Sequence, residues 1–385
     1  MPYRSGRCRA ALSVFTFLGA TGLCFVVAGP TSAGADSVGY TDIGTFGGLT
    51  GDAQGVNDAG EIAGNTAYDV PWGVGTAQFS KAIAWTPAGG TVQLGTLGGP
   101  QAIALGINNK GEIVGASDFG PDPPNPASDT AGFYWTPRTG MVNIGTLGGT
   151  NSKAAPTVAT AVNNAGEIVG YSVTATGAQH AFAWTPTSGM IDLGTLGGAR
   201  SFATAVNNAG EVVGYSDVSS PNCVSCFEHA FYWTAATGMV DLGILAGDTG
   251  SIARGINDKG QIVGNSYGSS SQSFVWTPNT GMVALSLDVP GQVWSTANAI
   301  NEGGKIVGQV EVFTDNAYWY QPFAWSPSHG TVILPAPERN LGTSGGVQTN
   351  EDALATAVNN AGEVVGQSYA ASGGSIDAFV WETQP

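Results

Sequence analysis

Charge is what this sequence has least of. Asp, Glu, Lys and Arg make up 10% of it, against about 25% in an ordinary soluble domain. The basic residues are scarcest, 12 Lys and Arg against 28 Asp and Glu. Because a phosphate backbone is held by clustered cations, this balance excludes nucleic acid as a natural partner. Histidine occurs three times, a scarcity that weighs against an enzyme. Long amphipathic helical patterns are missing too, which disfavours an α/β cofactor enzyme. Outside the N-terminal region no apolar run approaches the ~18 residues that span a bilayer.

What the chain has in quantity is turn-forming residues. Its 59 Gly and 20 Pro are about a fifth of 385 residues, below the ~25–30% that marks a low-complexity chain. An ordered chain of this kind reads as many short strands joined by turns. The N-terminal region reads differently. Arg4, Arg7 and Arg9 precede an apolar stretch from Ala10 to Ala28, and Ala33-Gly34-Ala35 has the small-x-small form of a cleavage site. Residues 1–35 are therefore expected to be a secretory signal peptide. Cleavage before Asp36 removes three Arg and no acid, moving the formal charge from −16 to −19. No membrane span then remains, and the mature protein is expected outside the cell or in the periplasm.

Self-comparison governs the rest, because a repeat period overrides any element-by-element reading. The segment Ala161-Val162-Asn163-Asn164-Ala165-Gly166-Glu167-Ile168-Val169-Gly170 recurs with its first Asn at 57, 108, 163, 207, 257, 301 and 359. An aromatic-x-Trp motif ends at Trp85, Trp135, Trp184, Trp233, Trp276, Trp325 and Trp381, with Ile83 replacing the aromatic in the first copy. In unit three the turn Asn163-Asn164-Ala165-Gly166 joins one pair of strands, its Gly supplying the positive φ of a bulged type I turn. Thr185-Pro186-Thr187-Ser188-Gly189, after the Trp of the same unit, joins a second pair. Four short strands per ~40–50 residues is the pattern of a β-propeller blade.

The chain ends support closure. The last unit stops after its third strand, Asp377 to Trp381, while Tyr40 to Thr45 is a lone copy of strand four. The expected fold is all-β: a seven-bladed β-propeller of four-stranded antiparallel blades over residues 36–385, closed by an N-terminal strand that completes the C-terminal blade. An open β-solenoid is the alternative, but it favours capping units over complementary half-units.

His180-Ala181-Phe182, the run Asp192-Leu193-Gly194-Thr195-Leu196-Gly197-Gly198 and the Val-Asn-Asn-x-Gly-Glu-Ile-Val-Gly segment resemble the bacterial extracellular HAF-repeat family, and the likeness extends over all seven units. It departs at the His, which only units three and four keep; Lys81, Ala131, Gln272, Gln321 and Asp377 stand there in the others. The resemblance implies secretion and a repeat architecture, and carries no catalytic residues.

Residues present in every unit most simply serve needs that every blade shares. The seven Asn are expected to bond the turns they open. The Gly at 64, 115, 170, 214, 264, 308 and 366 allow close backbone approach in strand two. Glu61, Glu112, Glu167, Glu211 and Glu363 read as a solvated rim. Gly264-Asn265-Ser266-Tyr267-Gly268 matches a nucleophile elbow in letters only, since it is a repeat strand rather than a strand-to-helix turn. Gly-Thr-Leu-Gly-Gly lacks the helix and Lys of a phosphate loop. Cys223-Val224-Ser225-Cys226 reads as a local disulfide in a secreted protein, with a zinc site including His229 or redox exchange as alternatives; no metal or other cofactor is expected.

Binding is expected on the face that carries the variable connections, at 66–80, 117–130, 217–228, 312–320 and 335–352, above a rigid scaffold. The three Trp outside the repeat, Trp72, Trp294 and Trp319, fall there, with Tyr68, Tyr320, Asp69 and Asp315. Aromatics beside carboxylates suit a carbohydrate or protein ligand. The function expected is a secreted binding or scaffold module, with an extracellular hydrolase or lyase acting on polysaccharide or peptidoglycan as the alternative.

Overall fold

A computed structural model describes residues 38–72, 75–119, 129–152, 156–219, 228–314, 317–335, 353–369 and 376–383. The expected signal peptide lies outside the described residues. Twenty-eight strands are described, from β1 (Gly39–Gly44) to β28 (Ile376–Glu382). They form seven four-stranded antiparallel sheets with strands in chain order, blade one from β2 (Thr50–Val56) to β5 (Gly90–Gln93). Blade seven joins the ends of the chain: β26 (Ala353–Val358), β27 (Glu363–Tyr369) and β28 take β1 as their outer strand, with Tyr40 opposite Trp381 and Asp42 opposite Phe379. This is the closure expected from the half-units.

The sequence periodicity explains both the sheets and their stacking. Alternate residues of β2 are buried, as period-two side chains require, and each strand three presents one large apolar residue to the interior. Ile83, Phe133, Phe182, Phe231, Phe274, Phe323 and Phe379 are all fully buried. The apolar clusters bridge neighbouring blades: Val169, Ala181 and Ala183 of blade three pack with Ala203, Val212 and Phe231 of blade four. At ~1.5–3 kcal/mol per large buried side chain, this packing supplies most of the cohesion between blades. The strand-two glycine is needed because strand one bulges against it; a Cβ on Gly170 would lie 1.9 Å from the Val158 carbonyl oxygen.

The recurrent Asn do more than hold their own turns. Asn163 Oδ1 accepts the main-chain N–H of Ala165 and Glu167, as expected, but its Nδ2 donates to the carbonyl of Asn207 in the next blade. The same bond runs from Asn57 to Asn108, to Asn163, to Asn207, to Asn257, to Asn301, to Asn359 and back to Asn57, at 2.8–3.1 Å. A second circuit lies beside it. The main-chain N–H of the following residue donates to a side-chain oxygen in the next blade, from Asp58 through Asn109, Asn164, Asn208, Asp258, Glu302 and Asn360 back to Asp58, at 2.7–3.0 Å.

The carboxylates expected as a solvated rim belong to this framework. Glu61, Glu112, Glu167, Glu211 and Glu363 are half-buried and accept the Asn Nδ2 of their own turn. Two of them also take a phenol from strand three, Tyr134 on Glu112 and Tyr232 on Glu211. Burial and then the adjacent carboxylate push both phenols up to about 12. Blade six departs, because Lys305 has no acceptor to offer. Its Nζ reaches 2.7 Å to Thr383 Oγ1, tying the end of β28 to its neighbour.

Candidate functional site

The two faces differ as the loop lengths suggest, but the variable face is more regular than expected. The described residues of 66–80 and 312–320 are paired strand rather than loop. β3 (Ile62–Trp72) and β4 (Gly75–Thr86) stay paired until Trp72 meets Gly75, and β23 (Ile306–Thr314) and β24 (Ala317–Ser326) until Thr314 meets Ala317. Alternating apolar and aromatic residues sustain both extensions, ending in blade six with the cross-strand pair Phe313 and Tyr318, whose rings are 4.8 Å apart and exposed.

These extensions decide what the aromatic candidates do. Tyr68 is pinned to the scaffold: its hydroxyl donates to the Pro100 carbonyl at 2.7 Å, and Lys81 Nζ lies 4.1 Å above its ring. Asp69 beside it is exposed. Trp319, expected in solvent, packs on the cluster of Leu287, Val310 and Val312, and its buried Nε1 has no acceptor among the described residues. The cause is pleating, since neighbours on a strand face opposite ways, and Tyr320 takes the side toward blade seven. Trp72 ends β3, but its side chain is outside the described residues, as are Asp315, Cys223 and Cys226.

Trp294 and Tyr320 are brought together, with ring centroids 5.4 Å apart and planes at 74°. Both line a cleft of about 310 Å³ between blades six and seven, with Gln309, Leu354, Gln367, Ser368 and Ile376. Trp294 lies near the start of strand one, Tyr320 near the start of strand three and Ser368 at the end of strand two, so the cleft opens on the variable face. Glu311 is registered between Trp294 and Tyr320 and puts one carboxylate at its border. Gln309 and Gln367 were missed in the sequence. The signal for them is position: each directly follows a strand-two Gly, where blades three and four carry Tyr171 and Tyr215.

Between blades three and four the equivalent crevice is filled. Phe202 stacks on Tyr215 at 5.0 Å and meets Tyr171 edge-on at 4.9 Å, and burial raises the pKa of both phenols. Charge on this side is paired nearby, with Arg200 3.0 Å from Asp217 and Tyr267 donating to Glu228 at 2.6 Å. The uniform face has an axial depression of about 170 Å³, lined by the residues of the two circuits. Its main-chain and side-chain groups are largely occupied with one another.

No protein-family model and no curated protein matches the sequence. Among solved structures the chain is similar to the uncomplexed acylaminoacyl peptidase of Pyrococcus horikoshii, with a TM-score of 0.53 and 9% identity over 89% of this chain and 53% of that one. The chain thus spans about half the length of that peptidase, and the likeness is one of fold alone. A gluconolactonase of Xanthomonas campestris aligns over 90% of this chain and 89% of its own at 8% identity, with a TM-score of 0.40.

Proposed function

We propose that the chain is a secreted binding module of the HAF-repeat kind, holding its ligand on the variable face. One observation carries this reading: the crevice between blades six and seven is left open where three rings close its counterpart between blades three and four. An aromatic pair and two amides stand in that opening. The opposite face supports the same reading by exclusion, since its recurrent Asn and Glu are spent on holding blades together. Secretion rests on the basic, apolar and small-residue order of residues 1–35, and Cys223 and Cys226 are read as a disulfide in that compartment.

A glycosidase would need two carboxylates about 5–10 Å apart. The described residues that line the cleft bring none, and Glu311 at its border is one, so binding is favoured over hydrolysis. The test pairs the faces. Wild type, Trp294→Ala and Asp58→Ala are applied to a combined glycan and peptide array, with hydrolase substrates screened alongside. Binding lost in Trp294→Ala and kept in Asp58→Ala is the expected result; the reverse, or turnover of a polysaccharide, overturns it. Mass spectrometry of protein exported by a bacterial host should give an N-terminus at Asp36.

A further inference from the structure

We infer that the cleft between blades six and seven takes one neutral, hydroxyl-rich ring the size of a pyranose. This rests on the proposal that the variable face binds a ligand, and names the ligand's class.

Hydrogen-bonding capacity left open in the cleft comes first. The Oε1 of Gln309 accepts Asn298 Nδ2 at 2.8 Å, which fixes that amide and leaves its NH₂ group to donate. Gln367 makes no side-chain hydrogen bond to another described residue, and neither does the Trp294 Nε1–H. The cleft therefore offers both donors and an acceptor. A purely apolar ligand would bury them unpaired, which is unfavourable. A ligand carrying hydroxyls, each both donor and acceptor, satisfies all three.

Charge narrows the class. Among the described residues lining the cleft there is no cation, Glu311 borders it, and the chain as a whole carries −16. An anionic ligand would find no counter-charge among those residues and would meet one repelling carboxylate. Shape and size narrow it further. At about 310 Å³ the cleft sits at the low end of the roughly 300–1,000 Å³ range of small-molecule sites, room for a ring rather than an extended strand. With the two aromatic planes at 74°, a ring stacked by its C–H face on one of them meets the edge of the other.

The experiment titrates the full mature chain with methyl pyranosides of glucose, galactose, mannose, fucose and N-acetylglucosamine. Glucuronate and glucosamine serve as charged counterparts. Saturation-transfer NMR detects binding and calorimetry measures it, for wild type, Gln367→Leu, Asp58→Ala, Trp294→Ala and, should the last fold poorly, Trp294→Phe. Saturable binding of at least one neutral pyranoside is expected, with its uronate at least about tenfold weaker. Gln367→Leu should lose about tenfold or more with an unchanged melting temperature, a change near 1.4 kcal/mol. Three results overturn the inference: no neutral pyranoside bound, a charged counterpart preferred, or binding indifferent to both positions. If a peptide or acidic glycan instead binds and Trp294→Ala abolishes it, the sugar class fails while the face assignment survives. Binding lost only in Asp58→Ala removes both.

Discussion

The crevice between blades three and four and the one between blades six and seven are built on the same strands of the same repeat, yet one is solid and the other hollow. Three positions make the difference: Tyr171, Phe202 and Tyr215 in the first are Gln309, Leu354 and Gln367 in the second. The backbone tolerates both sets because the rest of each core is closely matched: Val169, Ala183, Leu193, Ala203, Val212 and Phe231 in the first stand where Val307, Ala324, Leu334, Ala355, Val364 and Phe379 stand in the second. A repeat can thus set aside apolar burial at one interface without loss of the ring. The open interface is where it gains room for something else.

The largest effect expected is on the frame that keeps the two crevices comparable. Deleting residues 36–46 removes β1, with Tyr40 against Phe379 at 5.6 Å and the buried Phe46, and exposes the edge of β28. Several kcal/mol should be lost, at ~1.5–3 per buried side chain, with aggregation on heating. An unchanged melting temperature would rule out ring closure as a source of stability.

Phe202→Ala hollows the filled crevice. A fully buried Phe loses about 3–5 kcal/mol on truncation; Phe202 is half-buried, so denaturant unfolding should show a loss of about 2–3 kcal/mol. The two Trp of blade six, one on each side of its sheet, sharpen the contrast between scaffold and opening. Trp319→Ala, which strips the packing on Leu287 and Val310, should lower stability by about 2 kcal/mol, and Trp294→Ala, which lines the opening, by less than about 1 kcal/mol. Equal losses would erase the distinction between scaffold and site. Filling the cleft instead, with Gln309→Tyr and Gln367→Tyr together, should raise the melting temperature slightly and abolish ligand binding; a ligand still bound with native affinity would move the site elsewhere.

The smallest effect concerns pH on the uniform face. At Asp58, burial acts to raise the pKa, but the Asn360 main-chain N–H and the Asn360 and Asn109 amides outweigh it and hold it below 3.8. A depressed carboxylate stabilises the folded state above its unfolded pKa and loses that contribution as pH falls through the folded value. The melting temperature of wild type should therefore drop slightly more than that of Asp58→Asn on going below about pH 4. Identical acid profiles would mean that this carboxylate contributes nothing to the circuit.

The repeat made the blades legible. Turn Gly, strand-two Gly, buried strand-three aromatics and the complementary half-units are all local or terminal signals, and each appears in the fold where the pattern put it. What the pattern could not show is how one blade meets the next. Asn163 looks like a turn residue because its partner Asn207 lies in the following unit, and the cleft is invisible because Gln309 and Gln367 belong to different blades. Reading 312–320 as a loop also concealed a signal that was present. Once Val312 to Tyr320 is taken as paired strands, alternation alone sends Trp319 and Tyr320 to opposite sides.

Both hydrogen-bonded circuits run in one sense around the axis, each blade giving to its successor and receiving from its predecessor. Every unit accordingly carries a plug on one flank and a socket on the other, and neither is specific to its neighbour: Asp58, Asn109 and Glu302 serve alike as acceptors. Such joints place no limit on number. A duplicated unit would arrive already equipped to connect, so the figure of seven resides in the curvature set by packing, and in the split seventh blade that seals the circle.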